Sequence, residues 1–226
     1  TFRKAAKFFD VVTYTGNGAN RTIAHSLGST PGFIVIKNTS SADNWFCYHT
    51  SLGITNYIVL NWTDQAYTDT GGQLWNNTSP TSTAFSLGFN SSVNQSGQTY
   101  VAYLFAHDTS STGLIQCGSF TTSSGVSGLV NIGWEPQFVL IKRTDSATLG
   151  DWQIYDNMRG IVASNPGGTY NQPSQFLKPN QSAAEGTDGS GLGIYQNGFN
   201  FNDASGTSTY IYIAIRRPNK PPTSGT

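Results

Sequence analysis

The chain has 226 residues and a formal net charge of zero, from 12 basic and 12 acidic side chains. Charged residues make up 11% and aromatics 13%, which excludes a charge-rich disordered chain, and the even balance argues against a nucleic-acid binder, which needs a basic stripe to displace phosphate counterions. The longest apolar runs, such as Tyr100–Ala106, have strand length and fall short of the roughly 18 residues of a membrane helix.

Polar mass comes from Ser, Thr, Asn and Gly, whereas Met occurs once and Glu only at Glu135 and Glu185. Thr, Tyr, Val, Ile and Phe suit a pleated, half-buried surface, and Asn, Ser and Gly suit tight turns. The composition therefore predicts an all-β protein. The start at Thr1, without an initiator Met, reads as a segment processed or excised from a longer polypeptide.

In chain order, Phe9–Tyr14 opens as a strand and Thr15-Gly-Asn-Gly18 supplies a turn with residues that accept left-handed backbone angles. Arg21–Ile23 is a short second strand. The continuous apolar run Phe33–Lys37 predicts a central strand covered on both faces, with Pro31 at its start, where a missing N–H costs least. Asn44–His49, Asn56–Asn61, Thr83–Gly88 and Gln98–Ala106 complete this set.

The order then repeats. Pro31-Gly-Phe-Ile-Val-Ile-Lys37 matches Pro136-Gln-Phe-Val-Leu-Ile-Lys142, and Trp45-x-x-Tyr48 matches Trp152-x-x-Tyr155. Gly53-Ile54 matches Gly160-Ile161, and Thr99-Tyr100 with its apolar run matches Thr209-Tyr210 with its own. The expected architecture is two tandem, sequence-related β-sandwich units of jelly-roll-like build. Residues 1–7 form a lead-in, 8–108 the first unit, 113–217 the second, and 218–226 a Pro-rich linker or disordered tail. Asp156–Ala163 is the expected place for a short helical turn, and Asn165–Ser190 reads as a long irregular stretch.

Chemistry is sparse. His25, His49 and His107 lie in no catalytic motif, and most Asp stand beside turn residues, so no catalytic residue is assigned and no enzyme is expected. Asp145, Asp151 and Asp156 could share one edge and hold calcium, but their spacing is no EF-hand loop; neither a metal nor a cofactor is expected. Cys47 and Cys117 occupy non-equivalent places in the repeat and predict two free, buried thiols. The Asn-x-Ser/Thr sequences at Asn61 and Asn90 arise readily in such a composition.

Aromatic residues separate into two classes. Trp45 and Trp152, like Tyr48 and Tyr155, are shared between units and read as packing residues. Trp62, Trp75 and Trp134 belong to one unit only and are the ligand or interface candidates. Three roles compete for them: a subunit contact, plain packing, and a ring beneath the apolar face of a sugar with nearby amides reaching its hydroxyls.

Phe8-Phe-Asp-Val-Val-Thr-Tyr-Thr-Gly-Asn-Gly18, Ile23-Ala-His-Ser-Leu-Gly28, Pro31–Lys37 and Thr99–Ala106 occur together in this order. Phe138-Val-Leu-Ile-Lys-Arg-Thr-Asp145, Gly150-Asp-Trp152 and Arg159-Gly-Ile-Val-Ala163 follow in the second unit. The combination, across about residues 5 to 217, resembles a repeated all-β domain of tail-fibre and other structural proteins of tailed phages, many of them marine or cyanobacterial. That domain is often found beside concanavalin/laminin-G-like jelly rolls. The resemblance implies a virion location, on the particle surface or tail, and a non-enzymatic structural or adhesive role in a tail fibre or receptor-binding assembly. Capsid decoration, or a carbohydrate-binding module, is the alternative. Implied partners are other virion proteins, further copies of the chain in a trimer, and host surface polysaccharide. Nucleic acid and membrane insertion are not expected, and the resemblance carries no catalytic residues.

Overall fold

A computed structural model of the chain describes residues 3–123, 128–146, 148, 150–163, 174–188, 191–203 and 206–216. The proposed tail, 218–226, lies outside them. The protein is all-β, built of several sheets that are almost entirely antiparallel. No helix among the described residues is long and apolar enough to cross a membrane. The chain divides into two compact units, Thr1–Asp108 with Ser146–Leu149, and Thr109–Asp145 with Gly150–Thr226.

The first unit contains β1 (Phe9–Thr15), β2 (Arg21–Ala24), β3 (Pro31–Asn38), β4 (Trp45–His49), β5 (Asn56–Val59), β6 (Tyr67–Thr68), β7 (Ala84–Leu87) and β8 (Thr99–Ala106). Its main sheet runs β1-β8-β3-β4-β5-β6, and β2 pairs with β7. The run in β3 is buried nearly throughout because β8 and β4 flank it and both its faces are covered. Tyr14 of the main sheet meets Phe85 of β7 edge-on at 6.4 Å, so the β2–β7 pair closes the core over that sheet.

The second unit contains β9 (Ile115–Thr122), β10 (Gly128–Asn131), β11 (Pro136–Arg143), β12 (Trp152–Asp156), β13 (Val162–Ala163), β14 (Ser174–Phe176), β15 (Gly186–Asp188), β16 (Leu192–Tyr195), β17 (Gly198–Phe201) and β18 (Ser208–Arg216). One sheet runs β12-β11-β18-β9 and another β10-β17-β16-β13, and β14 pairs with β15. Val139, Ile141, Tyr155, Tyr210 and Tyr212 of the first pack with Val130, Leu192, Phe199 and Phe201 of the second in a single buried cluster. This is the face-to-face packing of a sandwich.

The order β1-β8-β3-β4 in one unit is the order β9-β18-β11-β12 in the other. Even the irregularity repeats: the β3–β8 register slips between Pro31 and Phe33, and the β11–β18 register between Pro136 and Phe138. A proline has no N–H for the ladder, and a bulge at the strand entrance absorbs that loss.

Two expectations are corrected. Among the described residues helix occurs at α1 (Ser91–Asn94) and as a 3-10 turn at Thr70–Gly72, and none lies in Asp156–Ala163. Asp156 Oδ1 accepts the N–H groups of Met158 and Arg159, and Gly160 adopts φ 98, so that segment closes as a tight turn before β13. The stretch Asn165–Ser190 is not irregular throughout, since its described part carries the β14–β15 ribbon.

Candidate functional site

At the start of β4, Asn61 holds the strand with both ends of its amide. Its Oδ1 accepts the Trp45 N–H at 3.0 Å, and its Nδ2 donates to Asn44 Oδ1 at 2.9 Å. The next residue, Trp62, donates its indole Nε1 to the same Asn44 Oδ1 at 3.1 Å. The second unit repeats the device with other residues. Asn180 Oδ1 accepts the Trp152 N–H at 3.0 Å, Asn180 Nδ2 donates to Asp151 Oδ1 at 2.8 Å, and Gln181 Nε2 donates to that oxygen at 2.6 Å. Asn61-Trp62 therefore corresponds to Asn180-Gln181, and Asn44 to Asp151.

What surrounds the two latches differs. Asp151 also pairs with Lys178 at 2.7 Å. Burial alone would raise its carboxyl, but hydrogen bonds from Lys178, Asn180 and Gln181 outweigh that and hold it below the usual carboxylate range. In the first unit the surroundings are aromatic. Trp62 meets Tyr67 edge-on at 6.2 Å, Tyr67 stacks on Tyr57 at 5.6 Å, and Tyr57 leans on Phe46 at 5.7 Å. Tyr57, Trp62 and Tyr67 are each partly exposed. The Tyr67 hydroxyl donates to Asp64 Oδ2 at 2.8 Å. Rings, amides and a carboxylate thus meet on one edge of the β4–β5–β6 sheet.

The three tryptophans singled out by sequence do not converge. Trp75 is 2% exposed, packs edge-on against Tyr48 and donates its Nε1 to the Asn56 carbonyl at 3.0 Å. Trp134 is 3% exposed inside the core of the second unit. Folding of the chain itself buries both, which removes them from the surface and leaves Trp62 as the accessible member. The shared pair also diverges. Trp152 is buried, whereas Trp45 is partly exposed, stacked on Tyr103 with the Lys37 ammonium 5.9 Å from its ring. Tyr48 and Tyr155 are both buried, as packing residues should be.

The acidic trio is dispersed into separate structural roles. Asp145 accepts the Thr209 N–H at 2.8 Å, the task that Ser40 Oγ performs for Thr99 in the first unit, and pairs with Arg143. Asp151 serves its latch, and Asp156 closes its turn and pairs with Arg159. His49 does at the end of β4 what Asp156 does at the end of β12, its Nδ1 accepting the Ser51 N–H at 3.1 Å. Among the described residues no three His, Cys, Asp or Glu side chains gather at a metal-binding distance. His25 Nδ1 accepts the Leu27 N–H at 3.2 Å, the role of a turn residue. Cys47 and Cys117 are unbridged and buried, and burial pushes both thiols well up. The amides of Asn61 and Asn90 serve the latch and the α1 cap respectively.

Sequence reasoning missed the latch because Asn61 and Asn180 stand in segments whose lengths differ between the repeats. The signal was present as Asn-x-Thr and Asn-x-Ser downstream of each shared tryptophan. No curated protein and no solved structure matches the chain. The family described as "Domain of unknown function (DUF7483)" matches residues 4–218, nearly the whole length, and the chain belongs to that family.

Proposed function

We propose that this chain is a non-enzymatic structural and adhesive domain of a phage virion, part of a tail fibre or receptor-binding assembly that contacts the host surface. The observation that carries the reading is the joint order of motifs from Phe8 to Ala163, which resembles the repeated domain of phage structural proteins. Those segments include β1, β3, β8, β11 and the start of β12, so the resemblance covers framework strands of both units together with the turns between them. Low charge supports it too: little of the cohesion of this Ser/Thr/Asn-rich body depends on ion pairs that salt would screen.

The test is placement on the particle. Antibodies raised against residues 1–226 are expected to label the tail or its fibres in negative-stain images of purified virions. Light scattering on the isolated chain is expected to give a trimer, the common state of fibres with closed symmetry. Labelling spread over the capsid would assign the chain to decoration of the shell. Absence of the chain from purified particles would overturn the virion reading.

A further inference from the structure

The duplicated latch works as an internal control. Both units need a donor after the latch asparagine, and Gln181 meets that need with a plain carboxamide. At the same place the first unit spends an indole, whose ring area the hydrogen bond to Asn44 does not require. That ring continues into Tyr67 and Tyr57, and all three stay partly exposed where the second unit carries the Asp151–Lys178 ion pair with its ammonium over Phe176. Asn44 Oδ1 is fully engaged by Asn61 and Trp62, which fixes the Asn44 amide and leaves its Nδ2 hydrogens without a protein acceptor among the described residues. Fixed rings beside oriented amides fit one ligand chemistry well. The C–H face of a pyranose covers an aromatic ring while its hydroxyls accept from amide N–H and donate to a carboxylate.

From this juxtaposition we infer that Trp62, Tyr67 and Tyr57, with Asn44 and Asp64, form a carbohydrate-binding site for neutral pyranose units of a surface polysaccharide. The inference deepens the adhesive reading and rests on it for the source of the glycan. Asp64 sets the selectivity, because its carboxylate accepts from sugar hydroxyls and repels an anionic sugar such as a uronic acid. At the equivalent place the second unit puts Asp151, Lys178 and Gln181, and there the Lys178 ammonium lies 5.9 Å from the Phe176 ring, so among the described residues no tryptophan–tyrosine row stands beside that latch.

The experiment uses residues 1–226 on an array of neutral and anionic bacterial oligosaccharides. Trp62→Gln is the decisive variant, since it installs the residue that the other unit tolerates and keeps a donor for Asn44. Wild type is expected to bind neutral hexose-containing glycans and to ignore uronic acid polymers. Trp62→Gln is expected to lose at least tenfold in affinity with an unchanged melting temperature, and Tyr67→Ala to weaken binding in the same direction. Gln181→Ala is expected to leave binding unchanged. No glycan signal from wild type, or equal binding by Trp62→Gln, overturns the site. The two readings fail separately: glycan binding abolished in Trp62→Gln upholds the site even if antibodies find no chain on particles. Equal glycan binding by wild type and Trp62→Gln, with both still attaching to host cells, removes the site and leaves adhesion standing.

Discussion

Tyr100 stacks on Tyr14 with ring centroids 5.2 Å apart and planes 11° from parallel, and Tyr210 stacks on Phe120 at 5.2 Å and 10°. The two pairs occupy the same crossing of adjacent strands, β1 on β8 and β9 on β18. Their hydroxyls have diverged. Tyr14 and Tyr100 donate to the Val93 and Ser91 carbonyls, each at 2.7 Å, and so tie α1 to the sheet. Tyr210 donates to the buried Asp203 at 2.7 Å, beside Arg143, and Phe120 has no hydroxyl to offer. One packing solution thus carries two polar solutions, an uncharged helix anchor and a carboxylate–guanidinium pair.

The α1 corner depends on Asn94. Its Nδ2 donates to the Gly88 carbonyl at 2.8 Å and the Ala19 carbonyl at 2.7 Å, and its Oδ1 accepts the Asn17 N–H at 3.0 Å. Asn94→Ala strands these groups at a fully buried position, at a cost of roughly 2–4 kcal/mol. Denaturant unfolding of the variant is expected to show an early loss of the first unit. A midpoint equal to wild type would refute the assignment.

Two glycines of the first turn serve different ends. A Cβ on Gly16 would run into the Gln95 carbonyl oxygen, a backbone atom that cannot swing aside. Gly18 has space, its nearest neighbour being Ser96 Cβ at 3.6 Å, and is constrained only by φ 71. Gly16→Ala is expected to cost about 3 kcal/mol and Gly18→Ala about 1 kcal/mol. Thermal melting of the two variants, with Gly16→Ala the lower, checks the order.

Acid sensitivity follows from Asp10 and Asp151. Burial would raise the Asp10 carboxyl, but Lys4 at 2.6 Å and the N–H groups of Ser26 and Val11 outweigh it and hold it below its ordinary value. Asp151 is lowered in the same way by Lys178, Asn180 and Gln181. A carboxylate depressed in the folded state contributes stability that is complete above its unfolded value, about 4, and is lost as pH falls through the folded value. Stability is therefore expected to be flat through neutrality with respect to these groups and to drop below about pH 4. Asp10→Asn is expected to be less stable at pH 7 and to show a shallower acid limb in a series of urea melts.

The buried thiols give a direct accessibility test. Ellman's reagent is expected to find neither Cys47 nor Cys117 in the native protein and both after denaturation, because burial disfavours the reactive thiolate. Equal mobility on reducing and non-reducing gels completes the expectation. Rapid native labelling would place a thiol at the surface.

Much of the framework is readable from the sequence by itself. Strand-forming residues, turn residues and the paired Pro31–Lys37 and Pro136–Lys142 runs determine an all-β chain whose β3 and β11 are central, because a continuous apolar run needs cover on both faces. The free state of the cysteines and the packing of Tyr48 and Tyr155 follow from the same repeat. Contacts between distant segments were decided only by the tertiary structure. Identical residue types gave no hint that Trp75 and Trp134 would be enclosed while Trp62 stays partly exposed, since burial depends on which sheet closes over each ring. The correspondence of Asn44 with Asp151 follows from the matched Trp45 and Trp152, but that of Trp62 with Gln181 was hidden for the same reason. Hydrogen bonds conserve a geometry and not a residue type, so a carboxamide, a carboxylate and an indole can fill one latch without leaving a common letter in the sequence.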